Sequence, residues 1–299
     1  MTSQSSVPRT RANGNPVNLM DDDVYEVLAV RYASRQTLRS LVYLNHHLYD
    51  EPDGPIGMDY FIWIVRNAQR TFVVDTGYSV EGGLARNRGH LIHPAEALTA
   101  LDVDPDDATV ILTHAHYDHA GNLDLFPRSP IITPRTEFDF WTGKMAHRLQ
   151  FRHSAEAREL QLLGEIARQG RMTFFEGRCH IAPGIELIEL GGHSPGQAIL
   201  LVNTEAGTVL LSSDATHYYE EIERDMPFLV VADLEAMYAG FDTMKRIVDE
   251  RNAILVPGHD PEVMTRFPAH DTADFAVVIA PTPTPSRCVA ATQRGADVV

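Results

Sequence analysis

The stretch THAHYDHAG, residues 113–121, contains four potential metal ligands: His114, His116, Asp118 and His119. An apolar segment precedes it and is predicted to be a buried strand. Alternate residues of an extended chain face the same side, so His114 and His116 can reach one ion. Asp118 and His119 lie beyond the point where the chain turns and can reach a second ion nearby. Because imidazole nitrogen and carboxylate oxygen suit zinc and similar divalent ions, the stretch predicts a metal site at the end of a strand.

Three more ligand-type residues follow predicted strands further along the chain. His193 lies in the glycine-rich turn GGHSPG, and Asp214 and His259 each follow an apolar segment, in SSDA and PGHD. Loops at strand ends commonly carry chemistry on a rigid scaffold. Any one of these residues alone is more often a turn or capping residue than a ligand. All three, in this order after the first stretch, indicate a two-metal site.

The chain alternates between strand-like and helical patterns. Strands are predicted over residues 24–32, 58–65, 71–74, 109–113, 172–175, 185–190, 198–203, 208–212 and 253–256. Helical patterns cover residues 94–101, 136–169 and 234–250. This order predicts a layered α/β domain with helices outside the sheets. This α/β domain is predicted to span 24–270, between a flexible N-terminal leader, 1–23, and a proline-containing C-terminal tail, 271–299.

The composition is ordinary for a soluble globular protein, with 44% hydrophobic and 22% charged residues among 299. A net charge of −16 repels nucleic acids and anionic membranes, so neither is an expected partner. No apolar run is long enough to cross a bilayer, and the polar N-terminus lacks the apolar core of a secretory signal. These features predict a cytoplasmic protein that acts on a small molecule. Cys179 and Cys288 do not suggest a disulfide framework.

The sequence resembles the metallo-β-lactamase superfamily over residues 24–268. The matching motifs are DTG at 75–77, THAHYDHAG at 113–121, GHSPG at 192–196, an Asp at 214 and GH at 258–259. The resemblance implies an α/β fold, a four-layer αββα sandwich with the site at one edge. It also implies two divalent metal ions, with Zn²⁺ as the expected metal.

The resemblance further implies which residues hold each ion. The ligands of the first ion would be His114, His116 and His193. Those of the second would be Asp118, His119 and His259. Asp214 would bridge both ions, and Asp75 would orient a ligand loop from behind.

Within the superfamily, the sequence looks like the N-acyl-homoserine lactone hydrolases in TVLLSSDA at 208–215, MPF at 226–228 and GHD at 258–260. This resemblance implies a lactonase with a quorum-quenching role. Such an enzyme opens a lactone or related ester by metal-bound hydroxide, and N-acyl-homoserine lactones are the candidate substrates. The commonest β-lactamases carry Cys in place of Asp214, and flavodiiron oxygen reductases carry Glu in place of His116, so the ligand pattern argues against both.

One position departs from the lactonase pattern. The familiar lactonases carry a Tyr three residues after the bridging Asp, where its hydroxyl can bond the substrate carbonyl, and this chain has His217 followed by Tyr218. His217 is predicted to donate to the developing oxyanion, and Tyr218 could take over this role by a small loop shift. The alternative is that His217 is only a polar loop residue. Asp118 and Asp214 are the predicted proton carriers.

Other questions stay open at this point. The same dinuclear site could hydrolyse another ester, a thioester, an amide or a phosphoester, and a non-catalytic metal-binding scaffold is the alternative from another class. A homodimer is also left open. Large side chains in the 136–169 segment could line an acyl-chain pocket, but ordinary core packing is favoured because apolar helical stripes usually face a core. These side chains are Phe138, Phe140, Trp141, Met145 and Phe151.

Overall fold

The computed structural model describes residues 23–283, which form two facing β-sheets. The first sheet has eight strands in the order β12-β13-β1-β2-β3-β4-β5-β6, and the second has five in the order β11-β10-β9-β8-β7. The strands of the first sheet are β1 (Glu26–Leu38), β2 (Pro55–Arg66), β3 (Thr71–Val74), β4 (Thr109–Ile111), β5 (Ile131–Pro134), β6 (Met172–Phe175), β12 (Ala269–His270) and β13 (Ala273–Ala280). Those of the second are β7 (Arg178–Ala182), β8 (Ile185–Glu189), β9 (Ala198–Thr204), β10 (Gly207–Ser213) and β11 (Ile254–Pro257).

Helices connect the strands. The α-helices are α1 (Val80–Leu84), α2 (Pro94–Ala100), α3 (Tyr117–Ala120), α4 (Arg135–Trp141), α5 (Leu149–Arg152), α6 (Ala157–Arg168), α7 (Tyr219–Glu223), α8 (Leu234–Arg251) and α9 (Val263–Arg266). Short 3₁₀ helices lie at Arg39–Leu41, His46–Tyr49, Leu123–Leu125 and Lys144–His147. Within residues 23–283, no helix combines the length and apolar character needed to span a membrane.

Alternating side chains of the two sheets form an inner apolar layer between them. Val27 of β1 and Leu200 of β9 lie in this layer, whereas their neighbours Leu28 and Leu201 lie in separate outer layers. Successive side chains of a strand point to opposite faces of its sheet, so both faces of each sheet must be covered. The strands are correspondingly apolar on both sides.

Helices cover the two outer faces. Met237 and Phe241 of α8 pack with Leu210 on the second sheet, and their spacing of four residues places them on one side of the helix. Leu98 of α2 and Leu163 of α6 belong to the apolar cluster on the outer face of the first sheet. The layers therefore run helix, sheet, sheet, helix, and the predicted four-layer αββα sandwich is confirmed.

Most of the predicted elements are present, with ends displaced by a few residues. The continuous helical pattern predicted over 136–169 is wrong, because the segment is divided into α4, a 3₁₀ helix, α5 and α6. Gly143 and Arg148 adopt extended backbone angles, so each of them separates one short helix from the next. Strands β5, β7 and β12 were also missed. Strand β7 lies at the edge of the second sheet, and its residues are partly or fully exposed.

Strand β13 corrects the predicted tail. Residues 273–280 were assigned by composition to the C-terminal tail, but they form a strand that pairs antiparallel with β1. Ala276 and Val277 are buried there, and Val27 pairs with Ala280. The proline-rich run that follows dominated the composition of this region and hid the strand. Residues 1–22 and 284–299, including most of the predicted leader and tail, lie outside the described residues.

Candidate metal centre

The predicted ligands lie in loops and in the short helix α3 at one edge of the sandwich. Because β3 runs parallel to β4, and β10 to β11, the carboxyl ends within each pair reach the same edge. The segment after β4 carries four ligand candidates, the β8–β9 turn carries one, and the loops after β10 and β11 carry one each. All seven side chains are buried: His114, His116, Asp118, His119, His193, Asp214 and His259.

Asp214 lies at the centre, with its two carboxylate oxygens facing different histidines. Its Oδ2 is 3.3 Å from His193 Nε2 and 3.7 Å from His114 Nε2. Its Oδ1 is 3.1 Å from His259 Nε2 and 3.2 Å from His119 Nε2. One carboxylate can therefore offer an oxygen to each of two ions.

Two ligand groups surround this carboxylate, and in each group the ligand atoms lie within 4.8 Å of one another. The first group is His114, His116, His193 and Asp214, and the second is Asp118, His119 and His259. In the first group, His193 Nε2 lies only 2.9 Å from His116 Nδ1. The structure thus brings together the residues that the resemblance divided between two ions.

The donor atoms fit divalent cations. His114 Nε2, His119 Nε2 and Asp214 Oδ1 are buried and lack a hydrogen-bond partner among residues 23–283, which is costly unless an ion or ligand satisfies them. Burial lowers the pKa of His114 and His116 well below the ordinary value, and it lowers the pKa of His193 to about 3. These three imidazoles are therefore neutral near pH 7 and offer the lone pairs that metal binding requires.

Backbone carbonyls orient two of the histidines from behind. His193 Nδ1 lies 2.8 Å from the Val230 carbonyl oxygen, and His259 Nδ1 lies 2.7 Å from that of Asp59. A carbonyl oxygen can only accept, so in both rings Nδ1 carries the proton. Each ring therefore presents its Nε2 to Asp214, which is the arrangement that outer contacts impose on metal-binding histidines.

Asp75 has the supporting position that was predicted for it. Its Oδ2 lies 2.7 Å from His119 Nδ1, and its Oδ1 accepts from the Thr113 backbone N–H at 2.8 Å. Burial opposes protonation of His119, but Asp214 and Asp75 outweigh it and raise the pKa of that imidazole. Asp75 has a φ of 60° and Ser213 a φ of 46°, left-handed conformations that cost energy in non-glycine residues and persist only where surrounding contacts hold them.

His217 lies beside the central carboxylate and forms a further possible ligand group with Asp214 and His259. Its Nε2 is 3.1 Å from Asp214 Oδ2, its Nδ1 is 3.2 Å from Glu221 Oε2, and its ring stacks on Phe228 with centroids 3.7 Å apart. Burial opposes protonation, but the Asp214 and Glu221 carboxylates outweigh it and raise the pKa of His217 to about 9. Because His217 is buried and held between two carboxylates, its surroundings argue against the alternative that it is only a polar loop residue.

Tyr218 points away from the ligands. Its hydroxyl donates to the Gly57 carbonyl oxygen at 3.0 Å, and its ring lies 6.0 Å from that of Tyr43, centroid to centroid. Burial raises the pKa of Tyr218 well above the ordinary value, so the phenol keeps its proton. A catalytic role for Tyr218 would require the loss of this hydrogen bond.

Glu137, on α4, is a buried carboxylate that no sequence pattern indicated. It accepts hydrogen bonds from the backbone N–H of Ala115 at 2.8 Å and of Gly196 at 2.7 Å, from Ser194 Oγ at 2.6 Å and from Trp141 Nε1 at 2.7 Å. A Cβ at Gly196 would clash with the Glu137 backbone, so this close approach requires glycine. Glu137 therefore joins the HAH stretch to the GHSPG turn. A single Glu in a helical segment is ordinarily a solvated residue, so its sequence carries no local signal.

The predicted apolar wall is mainly core. Phe138 and Phe140 pack against the main apolar cluster, and Met145 is exposed. Trp141 and Phe151 also line a cavity beside the first ligand group. The favoured assignment, core packing, therefore holds for most of this set, and two of the side chains also line a cavity beside the ligands.

The fold is an αββα sandwich with a candidate two-metal centre at one edge. Residues 57–259, more than half of the chain, match the metallo-β-lactamase superfamily. The chain belongs to this superfamily, as its motifs predicted.

Similar proteins include N-acyl homoserine lactonases. One from Bacillus cereus is 33% identical over 218 residues, which are 72% of this chain and 80% of that protein. Among solved structures, a quorum-quenching N-acyl homoserine lactone lactonase has a TM-score of 0.68 and 26% identity, covering 81% of this chain and 95% of that one. A second solved structure is that of an N-acyl homoserine lactone hydrolase with its product, N-hexanoyl-L-homoserine, bound at the catalytic metal centre. It has a TM-score of 0.66 and 25% identity, and the match covers 81% of this chain and 96% of that one.

Proposed function

We propose that this protein is a metal-dependent hydrolase that opens lactones at a centre of two zinc ions, with N-acyl homoserine lactones as the first substrates to test. The observation that carries the proposal is the Asp214 carboxylate, whose two oxygens each face a separate histidine group. The lactonases among the similar proteins support the choice of a lactone over other esters. A cytoplasmic location and a homodimer remain predictions.

Two divalent ions bound by these groups would supply Lewis-acid activation of a water molecule and of the substrate carbonyl oxygen. The chain itself holds and moves protons. Asp118 is a predicted ligand that also lines the cleft, so its carboxylate can accept a proton from the attacking water and return it to the ring oxygen as the carbon–oxygen bond breaks. Asp214 is the second candidate for this proton transfer.

His217 is the proposed donor to the carbonyl oxygen as negative charge develops. Its Nε2 is buried and lacks a hydrogen bond of good geometry among residues 23–283, although Asp214 Oδ2 is only 3.1 Å away. Glu221 holds the opposite side of the ring, and Phe228 fixes its plane. A preorganised N–H of this kind stabilises the transition state more than the ground state.

Two alternatives give different expectations. Because His217 stands where the familiar lactonases carry Tyr, the same centre could act on another ester, a thioester, an amide or a phosphoester. A non-catalytic scaffold would be expected to lose ligands, whereas all seven predicted ligand residues are present and brought together.

A substrate panel on zinc-loaded protein tests the proposal. The panel contains N-hexanoyl homoserine lactone, an aryl ester, a thioester, a β-lactam and a phosphodiester. We expect the lactone to have the highest kcat/KM, with the ring-opened acid as product. Hydrolysis of another bond class without lactone opening would assign the centre to that class. If the protein binds two metals but hydrolyses no substrate in the panel, the non-catalytic scaffold would be favoured.

His217→Ala is expected to lower kcat by about tenfold to a hundredfold, because one oxyanion donor is lost while the metals still polarise the carbonyl. KM should change less, and the metal content should stay the same. His217→Tyr restores the residue type of the familiar lactonases and should retain more lactone hydrolysis than His217→Ala. Steady-state kinetics with elemental analysis of each variant provide the measurement.

Tyr218→Phe is the neighbouring control. The Tyr218 hydroxyl donates to the Gly57 carbonyl and not to the cleft, so we expect kcat within about threefold of wild type; a missing hydrogen bond of this kind affects stability by about 1 kcal/mol. A larger fall in kcat for Tyr218→Phe than for His217→Ala would reverse the two roles.

A further inference from the structure

The cleft that leads to the metal ligands is rich in positive charge. Three arginines line it, Arg35, Arg86 and Arg88, together with His153. The protein as a whole carries a net charge of −16, so this concentration of guanidinium groups runs against its composition. Two carboxylates also line it, Asp118 and Asp214, but both are predicted metal ligands, so bound cations would offset their charge. The arginines are then expected to attract a negatively charged group.

Arg86 is fully engaged within the protein. Its guanidinium pairs with the Glu156 carboxylate and donates to the carbonyl oxygens of Gly82 at 3.1 Å and His153 at 2.6 Å. It also lies over the Tyr117 ring, 3.8 Å from the centroid. Arg86 therefore has its own partners, and its charge is balanced by a carboxylate.

The charge of Arg88 is not balanced in this way. In the segment that the structure describes, 23–283, no carboxylate lies within ion-pair distance of its guanidinium, and its Nε is buried without a hydrogen-bond partner. The group lies 5.2 Å from the ring centroids of both Tyr60 and Tyr117. Aromatic faces stabilise a cation but accept no strong hydrogen bond, so the donors of Arg88 remain available.

The Arg35 guanidinium also lacks a carboxylate partner among the described residues. Its Nε and Nη2 lie 3.4 Å and 3.3 Å from Met58 Sδ, a weak acceptor, and none of the carboxylates in residues 23–283 pairs with it. The charges of Arg35 and Arg88 both act on the Tyr60 phenol, where they oppose the larger effect of burial, which raises its pKa. Two guanidinium groups without acidic partners therefore face one cleft.

We propose that Arg35 and Arg88 bind a carboxylate on the substrate, remote from the bond that is hydrolysed. The preferred substrates are then lactones whose acyl group ends in a carboxylate, in contrast to lactones with a plain alkyl chain. The planar guanidinium fork matches a carboxylate in geometry as well as charge. This specificity rests on the proposed lactone hydrolysis and adds the substrate class.

A matched substrate pair tests the charge alone. N-Glutaryl homoserine lactone and its terminal carboxamide have nearly the same size and differ by one negative charge at the acyl end. On the zinc-loaded wild-type protein we expect kcat/KM to be about tenfold to a hundredfold higher for the acid, mainly through a lower KM. The preference should shrink as salt is added, because screening weakens a partly exposed ion pair.

Binding is measured separately with analogues that cannot be hydrolysed. In these a cyclopentane ring replaces the lactone, and the acyl end is again either a carboxylate or a carboxamide. Calorimetric titration of the zinc-loaded protein should show about tenfold tighter binding of the carboxylate analogue. This measurement gives an answer whether or not the lactone is a substrate.

Substitutions assign the effect to the two arginines. Arg35→Met and Arg88→Met keep the apolar stem and remove the guanidinium, and each is expected to reduce the acid-over-amide preference at least about fivefold. The double variant should show a preference near one. Arg246→Met is the matched control, because Arg246 lies on the exposed side of α8 and, within the described part of the chain, pairs only with Glu250. It should keep the full preference.

The outcomes separate the specificity from the reaction. Arg-dependent preference for the carboxylate analogue without lactone hydrolysis would support the anion site and reject the proposed function. Lactone hydrolysis with equal kcat/KM for acid and amide, and equal affinity for the two analogues, would overturn the inference and leave the function in place. A preference that survives in the double variant would also overturn it. If thermal unfolding shows that the double variant is not folded, the acid-over-amide preference of the two single variants decides the outcome.

Discussion

Asp214→Ala is expected to lower kcat by about a thousandfold or more and to reduce bound metal below two equivalents per chain. The substitution removes the only carboxylate whose oxygens face both histidine groups among residues 23–283, and it removes a negative charge between two cations. Metal activation contributes several kcal/mol to such reactions, and about 1.4 kcal/mol corresponds to tenfold in rate. Elemental analysis and lactone kinetics on the reconstituted protein measure both effects, with two equivalents expected for the wild type.

Asp260→Asn provides the control for Asp214→Ala. Asp260 is also buried and directly follows His259, but its carboxylate accepts from the backbone N–H groups of Tyr219 at 3.0 Å and Glu262 at 2.8 Å. An amide oxygen can replace one of these acceptors, so we expect two bound metals and kcat within about tenfold of wild type. Near-native kcat for Asp214→Ala with full metal would refute the assignment of Asp214 as the bridge.

Glu137→Ala is expected to destabilise the protein by about 3–5 kcal/mol, because four buried donors lose their acceptor together: three from two ligand loops, and Trp141 Nε1 from α4. For a domain of this size that corresponds to a fall in Tm of roughly 10 °C. Zinc affinity should fall about tenfold to a hundredfold, as happens when outer contacts of a metal site are removed. Thermal unfolding and a competitive chelator titration provide the two measurements.

Two matched amide variants identify the cause. In Glu137→Gln the amide NH2 group replaces one carboxylate oxygen and cannot accept a hydrogen bond. At least one buried donor therefore loses its acceptor, and we expect about half the effect of the alanine variant. Glu159 on α6 is also buried, but among residues 23–283 it accepts a hydrogen bond only from Ser79 Oγ, at 2.8 Å. Glu159→Gln should therefore cost less than about 1 kcal/mol at pH 7. Equal destabilisation by the two amide variants would show that Glu137 has no special role.

The pH dependence of the Glu159 control has a defined sign. Burial raises the pKa of Glu159 to about 7, above its value of 4.5 in an unfolded chain. The folded state therefore binds the proton more tightly, and the stability that this supplies is complete below pH 4.5 and lost as the pH rises through 7. Glu159→Gln stays neutral throughout, so it should gain stability relative to wild type when the pH is raised from 6 to 8.

Local sequence was sufficient for the family, the layered fold and the candidate ligands. The spacing of the THAHYDHAG stretch depends on the geometry of one strand and one turn, so it could be interpreted without any distant contact. Strands β3 and β6 had the predicted bounds, and α8 was predicted to within one residue, because its apolar side chains recur at helical spacing. The position of each later ligand after an apolar strand predicted its place at the sheet edge.

The tertiary structure decided which distant side chains meet. Glu137 is a surface-type residue in its own sequence and becomes the acceptor for two ligand loops only in the fold. Arg35 and Arg88 come from different segments and face one cleft, and β13 becomes an interior strand by pairing with β1 at the opposite end of the described chain. The physical reason is that helical and strand periodicity is a property of neighbouring residues, whereas the environment of a buried charge or a strand partner is supplied by residues far away in the chain.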